Sequence, residues 1–223
     1  MITRHFCKPN FIQKCTCFFF LMQAFNAYAN PIWHLYKNEK GVSVYYQIHD
    51  DDTFEVKGEL VVNGVTTEDF LALLSDTQVA QKWIENASKV SVIKILSPSE
   101  NLVYSYFYSP WPVANRDAVT YSCYSQLTPN QSQLVIKARP KELPLYKNVV
   151  RIKTLNAKWL LTQQGNNLSI AYQVYALSAG MIPTWLNNKV GLKSTYKTLL
   201  NLHDILIHQR YQVKAPLIKA GKC

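Results

Sequence analysis

Several residue patterns that mark enzymes and nucleotide-binding proteins are missing from this sequence. It holds 7 glycines in 223 residues and no phosphate-binding glycine loop. It has neither a Gly-x-Ser-x-Gly nor a His-Glu-x-x-His segment, which mark serine hydrolases and zinc proteases. The run of Asp50, Asp51 and Asp52 lacks the later ligands of an EF-hand calcium loop and indicates a solvated turn. We therefore expect no catalytic residues, no cofactor and no metal site.

Charged residues are also few, at 17% of the chain, whereas apolar residues make up 48% and aromatic residues 13%. With no internal repeat or linker between residues 30 and 211, this composition indicates one folded domain with a substantial core. The formal net charge is +10, but the lysines are scattered and form no dense basic run among aromatic residues. The pattern does not support nucleic-acid binding and is consistent with loose attraction to an anionic membrane surface.

The first 29 residues follow the order of a secretory signal peptide. Three basic residues and no acidic one accompany an apolar run at 17–22, and an Ala-Tyr-Ala cleavage sequence ends at Ala29. The apolar run is too short for a membrane span of about 20 residues, although an uncleaved anchor and a buried helix remain alternatives. We predict cleavage after Ala29, a periplasmic or secreted protein, and a net charge that falls from +10 to +7.

Removal of that leader would leave two of the five cysteines, Cys123 and Cys223. They could pair in an oxidising compartment, where disulfides persist. However, Cys223 is the last residue of a basic tail over residues 212–223, and chain termini commonly fray. We therefore expect a frayed tail without a structural disulfide, although sequence alone does not decide whether two cysteines can pair.

The hydrophobic pattern from residue 31 onward predicts a mainly antiparallel β-protein. Residues 31–38 predict a short helix ending near Gly41, residues 66–69 supply an N-cap and an acidic first turn for a second helix, and a third is expected at 79–84. Runs rich in alternating, β-branched and aromatic residues predict strands at 41–49, 53–62, 90–96, 102–108, 118–126, 134–138, 149–155, 158–162 and 168–177.

A long helix is predicted at residues 183–208, after a sharp turn made by Gly180 and Pro183. Its apolar positions, spaced about three or four residues apart, include Trp185, Leu192, Tyr196, Leu199, His203 and Leu206. Strands joined by hairpin-length links imply an antiparallel sheet, and the long helix needs a surface to cover. The expected fold class is α+β, with a curved antiparallel sheet wrapped around the C-terminal helix and an internal cavity where the helix leaves space.

Two spaced motifs make the sequence resemble the START (steroidogenic acute regulatory protein-related lipid transfer) domain family, as a bacterial-type secreted member of the Bet v1-like helix-grip superfamily. The first is Trp111-Pro112 followed by Arg116-Asp117, and the second is Gly180-x-Ile182-Pro183 followed by Trp185-Leu186. Further matching elements follow in order through residues 31–208: Trp33, Gly41-Val42, Phe54 to Gly58, Trp83, Val150-Arg151 and Trp159.

The resemblance implies a monomeric, non-catalytic protein that binds one lipid or other hydrophobic ligand in its cavity and transfers it between membranes. The loop at 180–183 and the last helix would form a lid over the cavity. Only one parity of each strand can point inward, and we expect Tyr106, Ser122, Tyr124 and Tyr172 to do so. The expected ligand-binding residues are Tyr106, Trp111, Arg116, Ser122, Tyr124, Tyr172, Met181, Ile182, Trp185, Tyr196, Leu199 and His203.

Several of these expectations have alternatives. Arg116 and Asp117 are also explained as a structural ion pair or loop clamp, and the lid residues as core packing. Cholesterol-binding members of the family carry a second arginine six residues after the motif arginine, where this chain has Ser122. The serine leaves the lipid's identity open and removes a buried cation for a phosphate headgroup.

Two other functions remain open. One is an enzyme of the same fold, cyclase-like or hydrolase-like, acting on a hydrophobic substrate. Its acid–base groups would have to come from His34, His49, His203 and His208. The other is an interaction module whose apolar surface binds a protein partner.

Overall fold

The computed structural model describes residues 32–109, 111, 113–177, 184–208 and 218–223, and residues 32–223 form one compact unit. The predicted signal peptide lies outside the described residues. The elements are β1 (His34–Glu39), β2 (Val42–Ile48), β3 (Phe54–Asn63), α1 (Thr67–Ser75), α2 (Ala80–Trp83), β4 (Ala87–Ser97), β5 (Glu100–Phe107), β6 (Asn115–Thr128), β7 (Gln131–Ala138), β8 (Val149–Arg151), β9 (Thr154–Gln164), β10 (Asn167–Leu177) and α3 (Thr184–His208).

These ten strands form one sheet in the order β1-β2-β3-β10-β9-β7-β6-β5-β4, with β8 beside β6. The β6–β8 pairing is parallel, and the pairings along the main path are antiparallel. Helix α3 packs on β2 and β3 and also contacts α1 and α2. The expected α+β fold, a curved antiparallel sheet with a long C-terminal helix, is confirmed.

The first described element is a strand, so the expectation of a helix at residues 31–38 is wrong. β1 pairs with β2 through the two-residue turn Lys40-Gly41, whose φ angles are 54° and 76°. Positive φ at both positions is the geometry of a type I′ hairpin. Gly41 is therefore a turn residue and not a helix cap, because pairing with β2 overrides the local sequence preference.

Helix α1 begins where the sequence predicts. Thr66 and Asp69 form a reciprocal capping box, in which the Thr66 hydroxyl accepts from the Asp69 backbone N–H and the Asp69 carboxylate accepts from the Thr66 backbone N–H. Phe70, Leu71 and Leu73 then bury their side chains in the core. This capping box fixes where the helix starts. The buried face of α1 belongs to the same hydrophobic core as the buried residues of α3.

The side of the sheet that faces α3 can be traced by strand register. A Cβ atom at Gly58 of β3 would overlap the Leu199 side chain of α3, so Gly58 marks this side, which we call the inner face. Directly paired residues of antiparallel strands point to the same face. Successive partners across the sheet from Gly58 are Tyr172, Trp159, Leu134 and Tyr124.

The C-terminal residues 218–223 are attached to β6, which corrects the expectation of a frayed tail. Cys223 forms a disulfide with Cys123 across 100 residues of sequence. The Gly221 N–H donates to the Tyr124 carbonyl at 2.9 Å. A side chain at Gly221 would collide with Ser99, so glycine lets the terminal backbone pass close to the sheet. The expectation of no structural disulfide is likewise wrong, because backbone pairing holds the terminus beside Cys123.

Candidate functional site

Beyond β3, the inner face is a mainly apolar wall with a few neutral polar groups. Since α3 packs on β2 and β3, this part of the concave side is the candidate site. Several of its side chains, including Ile136, Tyr172 and Val174, keep some accessible surface. By register, the wall consists of Val103 and Ser105, Thr120, Ser122 and Tyr124, Leu134 and Ile136, Ala157 and Trp159, and Tyr172 and Val174.

An aromatic cluster forms the part of the wall nearest the helices. The Trp159 ring centroid lies 4.2 Å from that of Tyr172, 5.4 Å from that of Phe70 and 6.3 Å from that of Trp83. Trp83 is buried, and its indole Nε1 has no hydrogen-bond partner among the described residues. The cluster thus joins α1 and α2 to the sheet and carries one unused donor.

Tyr172 is a neutral phenol inside the protein. Burial raises the pKa of its hydroxyl, so the group stays protonated at any physiological pH. Its hydroxyl forms no hydrogen bond with another described residue, and the side chain is partly buried against the core. A partly buried phenol without a partner among the described residues is a hydrogen-bonding group available to a ligand.

A hydrogen-bonded pair of neutral residues lies on the wall at the far strands. The Ser122 hydroxyl of β6 donates to the Asn101 carboxamide oxygen of β5 at 2.5 Å. The Asn101 amide nitrogen donates to no other described residue. The pair therefore offers N–H donors and a hydroxyl acceptor, with no formal charge.

Helix α3 presents the opposite side of the site. Leu192, Tyr196 and Leu199 are buried. Leu199 packs on Gly58 of β3, and the Tyr196 ring centroid lies 4.4 Å from Lys37 Nζ of β1, so these two predicted ligand residues take part in the contact between helix and sheet. Asn188 lies one turn before Leu192 on the same face, and its side-chain oxygen is buried without a partner in the described part of the chain. This oxygen is a further neutral group available to a ligand.

Two predicted ligand residues lie elsewhere. Tyr106 pairs with Asp117, whose parity is opposite to that of Ser122, so Tyr106 points to the outer face and the expectation for it is wrong. His203 is partly exposed, and its Nδ1 lies 3.3 Å from a carboxylate oxygen of Asp204. Helical spacing places His203 near the edge of the apolar face, where a polar ring contacts water.

Among the described side chains, neither Trp111 nor a predicted lid residue is found on the wall of the candidate site. The Trp111 side chain is 92% exposed, so it lies on the surface and does not line the wall. Trp185 falls in the first turn of α3. Met181 and Ile182 lie outside the described residues. Of the twelve predicted residues, Ser122, Tyr124, Tyr172 and Arg116 have the inner-face parity of their strands, and Tyr196 and Leu199 are buried on α3.

Arg116 and Asp117 do not pair with each other. Asp117 forms a two-pronged ion pair with Arg151, at 2.7 and 2.8 Å, with both side chains buried. Arg151 also donates to the carbonyls of Pro140, Leu143 and Pro144, so it holds that loop against β6. The structural alternative for Asp117 is therefore the right one, with Arg151 as its partner.

Arg116 closes the loop that carries Trp111. Its Nη1 donates to the Ser109 hydroxyl at 3.1 Å and to the Ala114 carbonyl at 2.6 Å. Partial burial lowers the pKa of its guanidinium. The ordinary pKa of arginine is so high that the group nevertheless stays charged at neutral pH. Its parity is that of the inner wall, but the contacts make it a loop clamp.

No acid–base set converges in the described part of the site. His34 packs on Tyr46 at the sheet edge, and His49 approaches Glu55 at 3.7 Å on the outer face. Within residues 32–109, 111, 113–177, 184–208 and 218–223 there is no cluster of metal-binding side chains. In the same residues no helix has the length and apolar character needed to cross a membrane.

Sequence reasoning missed Asn101, Asn188 and the role of Arg151. Asn101 alternates with Val103 and Ser105, a pattern typical of a wall, but its pairing with Ser122 depends on strand register. Asn188 lies four residues before Leu192, so helical spacing could have found it. Arg151 gave no local signal, since its partner Asp117 is 34 residues away.

Comparison with known proteins adds to this geometry. A family model described as START domain matches residues 22–206. The crystal structure of a STAR-related lipid transfer protein from Xanthomonas axonopodis has 28% sequence identity and a TM-score of 0.73, covering 79% of this chain and 99% of that chain. Human STARD10 has 21% identity and a TM-score of 0.70, covering 79% and 74%, which shows the fold alone.

A curated relative is also similar over most of its length. An uncharacterized protein of Pseudomonas aeruginosa is 28% identical over 173 residues, which cover 77% of this chain and 85% of the relative. The match to the family model covers well over half of the chain.

Proposed function

Because the chain belongs to the START domain family, we propose that it holds one lipid molecule between α3 and the inner face of its sheet and transfers it between membranes. The observation that carries this proposal is the Tyr172 phenol, which lies partly buried on the inner face and is unpaired among the described residues. Apolar walls with a few convergent polar groups are typical of small-molecule sites. The similar Xanthomonas axonopodis structure is that of a lipid transfer protein, which agrees with this ligand class.

Native mass spectrometry of the full chain, expressed with its leader, tests the proposal. We expect about one lipid per chain, because a buried apolar site of this kind favours a single amphiphile. Ile136→Trp adds bulk to the inner face and should lower the bound fraction severalfold. Lys137→Trp, one residue away on the exposed outer face, is the matched control and should keep the lipid. A chain without lipid, or equal occupancy in both variants, would contradict the proposal.

We propose further that the ligand's buried polar end is uncharged. Ser122, Asn101 and Tyr172 supply hydrogen bonds but no charge, and Arg116 is used by its loop. Burying an ionised carboxylate without a counter-charge costs several kcal/mol, whereas an alcohol can both donate and accept. A neutral lipid therefore fits this wall better than a fatty acid anion.

The delipidated protein should accordingly bind 1-hexadecanol at least about tenfold more tightly than hexadecanoate at neutral pH, equivalent to at least about 1.4 kcal/mol. Both probes have the same chain length, so the comparison isolates the polar end. Displacement of a fluorescent fatty alcohol measures both affinities. Ser122→Arg supplies the missing cation and should reverse the order, while tighter hexadecanoate binding by the wild type would show that the wall recognises charge.

The proposed role is binding and not catalysis. Among the described residues, the histidines are spread over the outer face, the sheet edge and the end of α3, and none lies beside Tyr172 or Ser122. Acid–base catalysis requires such groups within hydrogen-bond reach of one substrate atom. A carrier needs only the apolar wall and its few polar contacts.

We place this carrier outside the cytoplasm, as a monomer with transient membrane contact. The basic, apolar and Ala-Tyr-Ala order of residues 1–29 supports export, and the Cys123–Cys223 disulfide suits an oxidising compartment. The edge strand β4 carries Lys89 and Lys94 and three register irregularities, features that discourage pairing with a second sheet. The basic net charge favours approach to anionic membranes.

A further inference from the structure

An open groove lies on the outer face of the sheet, on the side opposite the proposed lipid site. Its volume is about 430 Å³. Tyr106 pairs with Asp117, and Tyr104 pairs with Val119, so both tyrosines have the outward parity of β5. The groove, which we call the outer tyrosine groove, is lined by Ser88, Lys89, Tyr104, Tyr106, Tyr146 and Val149.

The lining of this groove is rich in hydrogen-bond donors and holds no carboxylate. Lys89 is exposed and forms no ion pair with any residue that the structure describes. The Tyr106 hydroxyl accepts from the Asn115 amide at 2.8 Å, which leaves its own proton free to donate. Burial raises the pKa of the Tyr104 phenol, so this hydroxyl is also protonated. Such a set favours an anionic, acceptor-rich group such as a phosphate.

The surroundings of the groove favour a membrane as the source of such a phosphate group. Tyr106 packs edge-on against Tyr108 at 5.9 Å, and Tyr108 leads into the loop that exposes 92% of Trp111. On the other side of the groove, Leu145 precedes Tyr146 and is 69% exposed. Tryptophan and tyrosine favour the membrane–water interface, and exposed apolar side chains can enter it.

Nearby charge agrees with an anionic surface. Lys141 and Lys147 are exposed on the same segment as Leu145 and Tyr146, and Glu142 is the one acidic residue between residues 139 and 148. Each lysine near an anionic bilayer contributes about 1 kcal/mol of attraction. A bilayer therefore satisfies the donors, the exposed aromatic rings and the lysines together.

We propose that the outer tyrosine groove binds the phosphate of an anionic phospholipid at a bilayer surface, while Trp111 and Leu145 enter the interface. This inference rests on the proposed function, since it gives the lipid carrier its docking surface. The groove and the lipid site use opposite faces of β5, so a membrane lipid can be held outside while the carried lipid stays inside.

Cosedimentation of the full chain with vesicles tests this docking surface. The vesicles contain phosphatidylcholine alone, or phosphatidylcholine with about one third phosphatidylglycerol. Lys89→Ala should reduce binding to the anionic vesicles about fivefold, from loss of about 1 kcal/mol. Lys94→Ala, with the same charge change at an exposed position of the same strand, should stay within about twofold of the wild type.

Equal losses in the two variants, or no loss in Lys89→Ala, would overturn the groove as the headgroup site. Free glycerol 3-phosphate should not displace the protein from anionic vesicles, and displacement would assign the groove to a soluble phosphate. Native mass spectrometry of the same variants separates the two proposals. Lys89→Ala should keep its carried lipid, whereas a wild-type chain without lipid would overturn the proposed function whatever the vesicles show.

Discussion

Replacing Arg151 with methionine is expected to destabilise the protein by about 3–5 kcal/mol, the usual cost of leaving one member of a buried ion pair alone. Asp117 would remain in a site where both partners are 1% exposed. The loop carbonyls of Pro140, Leu143 and Pro144 would also lose their donors. Urea unfolding followed by tryptophan fluorescence measures the loss directly.

Arg116→Met is the matched control, because it removes the same charge from a partly exposed arginine nearby. It should cost about 1 kcal/mol, since it breaks two hydrogen bonds at the surface. The double variant Arg151→Met with Asp117→Leu removes both charges and should recover part of the stability. If Arg151→Met lowered the free energy of unfolding no more than Arg116→Met, the buried ion pair between Arg151 and Asp117 would not contribute the stability expected of it.

The order of elements was predictable because it depends on patterns local to the sequence. The capping box at Thr66 and Asp69 marks the start of α1, and the spacing of Leu192, Tyr196 and Leu199 marks the buried face of α3. The opening strand was not predictable in the same way. Residues 34–39 have no strong preference of their own, and their structure depends on pairing with β2.

Site residues could be predicted from the sequence only where the alternation along a strand showed which face of the sheet a side chain points to. Ser122, Tyr124 and Tyr172 face inward as expected. Tyr106 does not, because strand parity cannot be assigned from a run in which polar and aromatic residues occupy both faces. Asn101 was missed for the same reason, since its contact with Ser122 follows from the β5–β6 register.

The composition of β5 follows from the two surfaces that it serves. Asn101, Val103 and Ser105 face the inner wall, while Tyr104 and Tyr106 face the outer tyrosine groove. A strand exposed to water on one face would alternate apolar with charged residues. Of the outward residues, Glu100 at the start of the strand is charged and Leu102 is buried, whereas Tyr104 and Tyr106 at the groove are aromatic and uncharged. The two tyrosines agree with a groove that meets a membrane interface.

Removing the Cys123–Cys223 disulfide is expected to cost about 4–5 kcal/mol in the chain-entropy model, because the bond closes a long loop. The two residues are 100 positions apart, and the loop includes β7 to β10 and α3. Cys223→Ser should therefore lower the urea midpoint by a large step. A reducing agent should lower the wild type by a similar amount and leave the variant unchanged.

The control for this prediction comes from the backbone contacts of the tail. Lys219 and Gly221 donate to the carbonyls of Pro98 and Tyr124, so some attachment remains without the disulfide. Lys222→Ser alters the neighbouring exposed residue and should change stability by less than about 0.5 kcal/mol. A wild type that is insensitive to reduction would show that these contacts alone hold the terminus. A large loss on reduction means instead that the full stability of the protein requires an oxidising compartment, which is the condition that export through the predicted leader would provide.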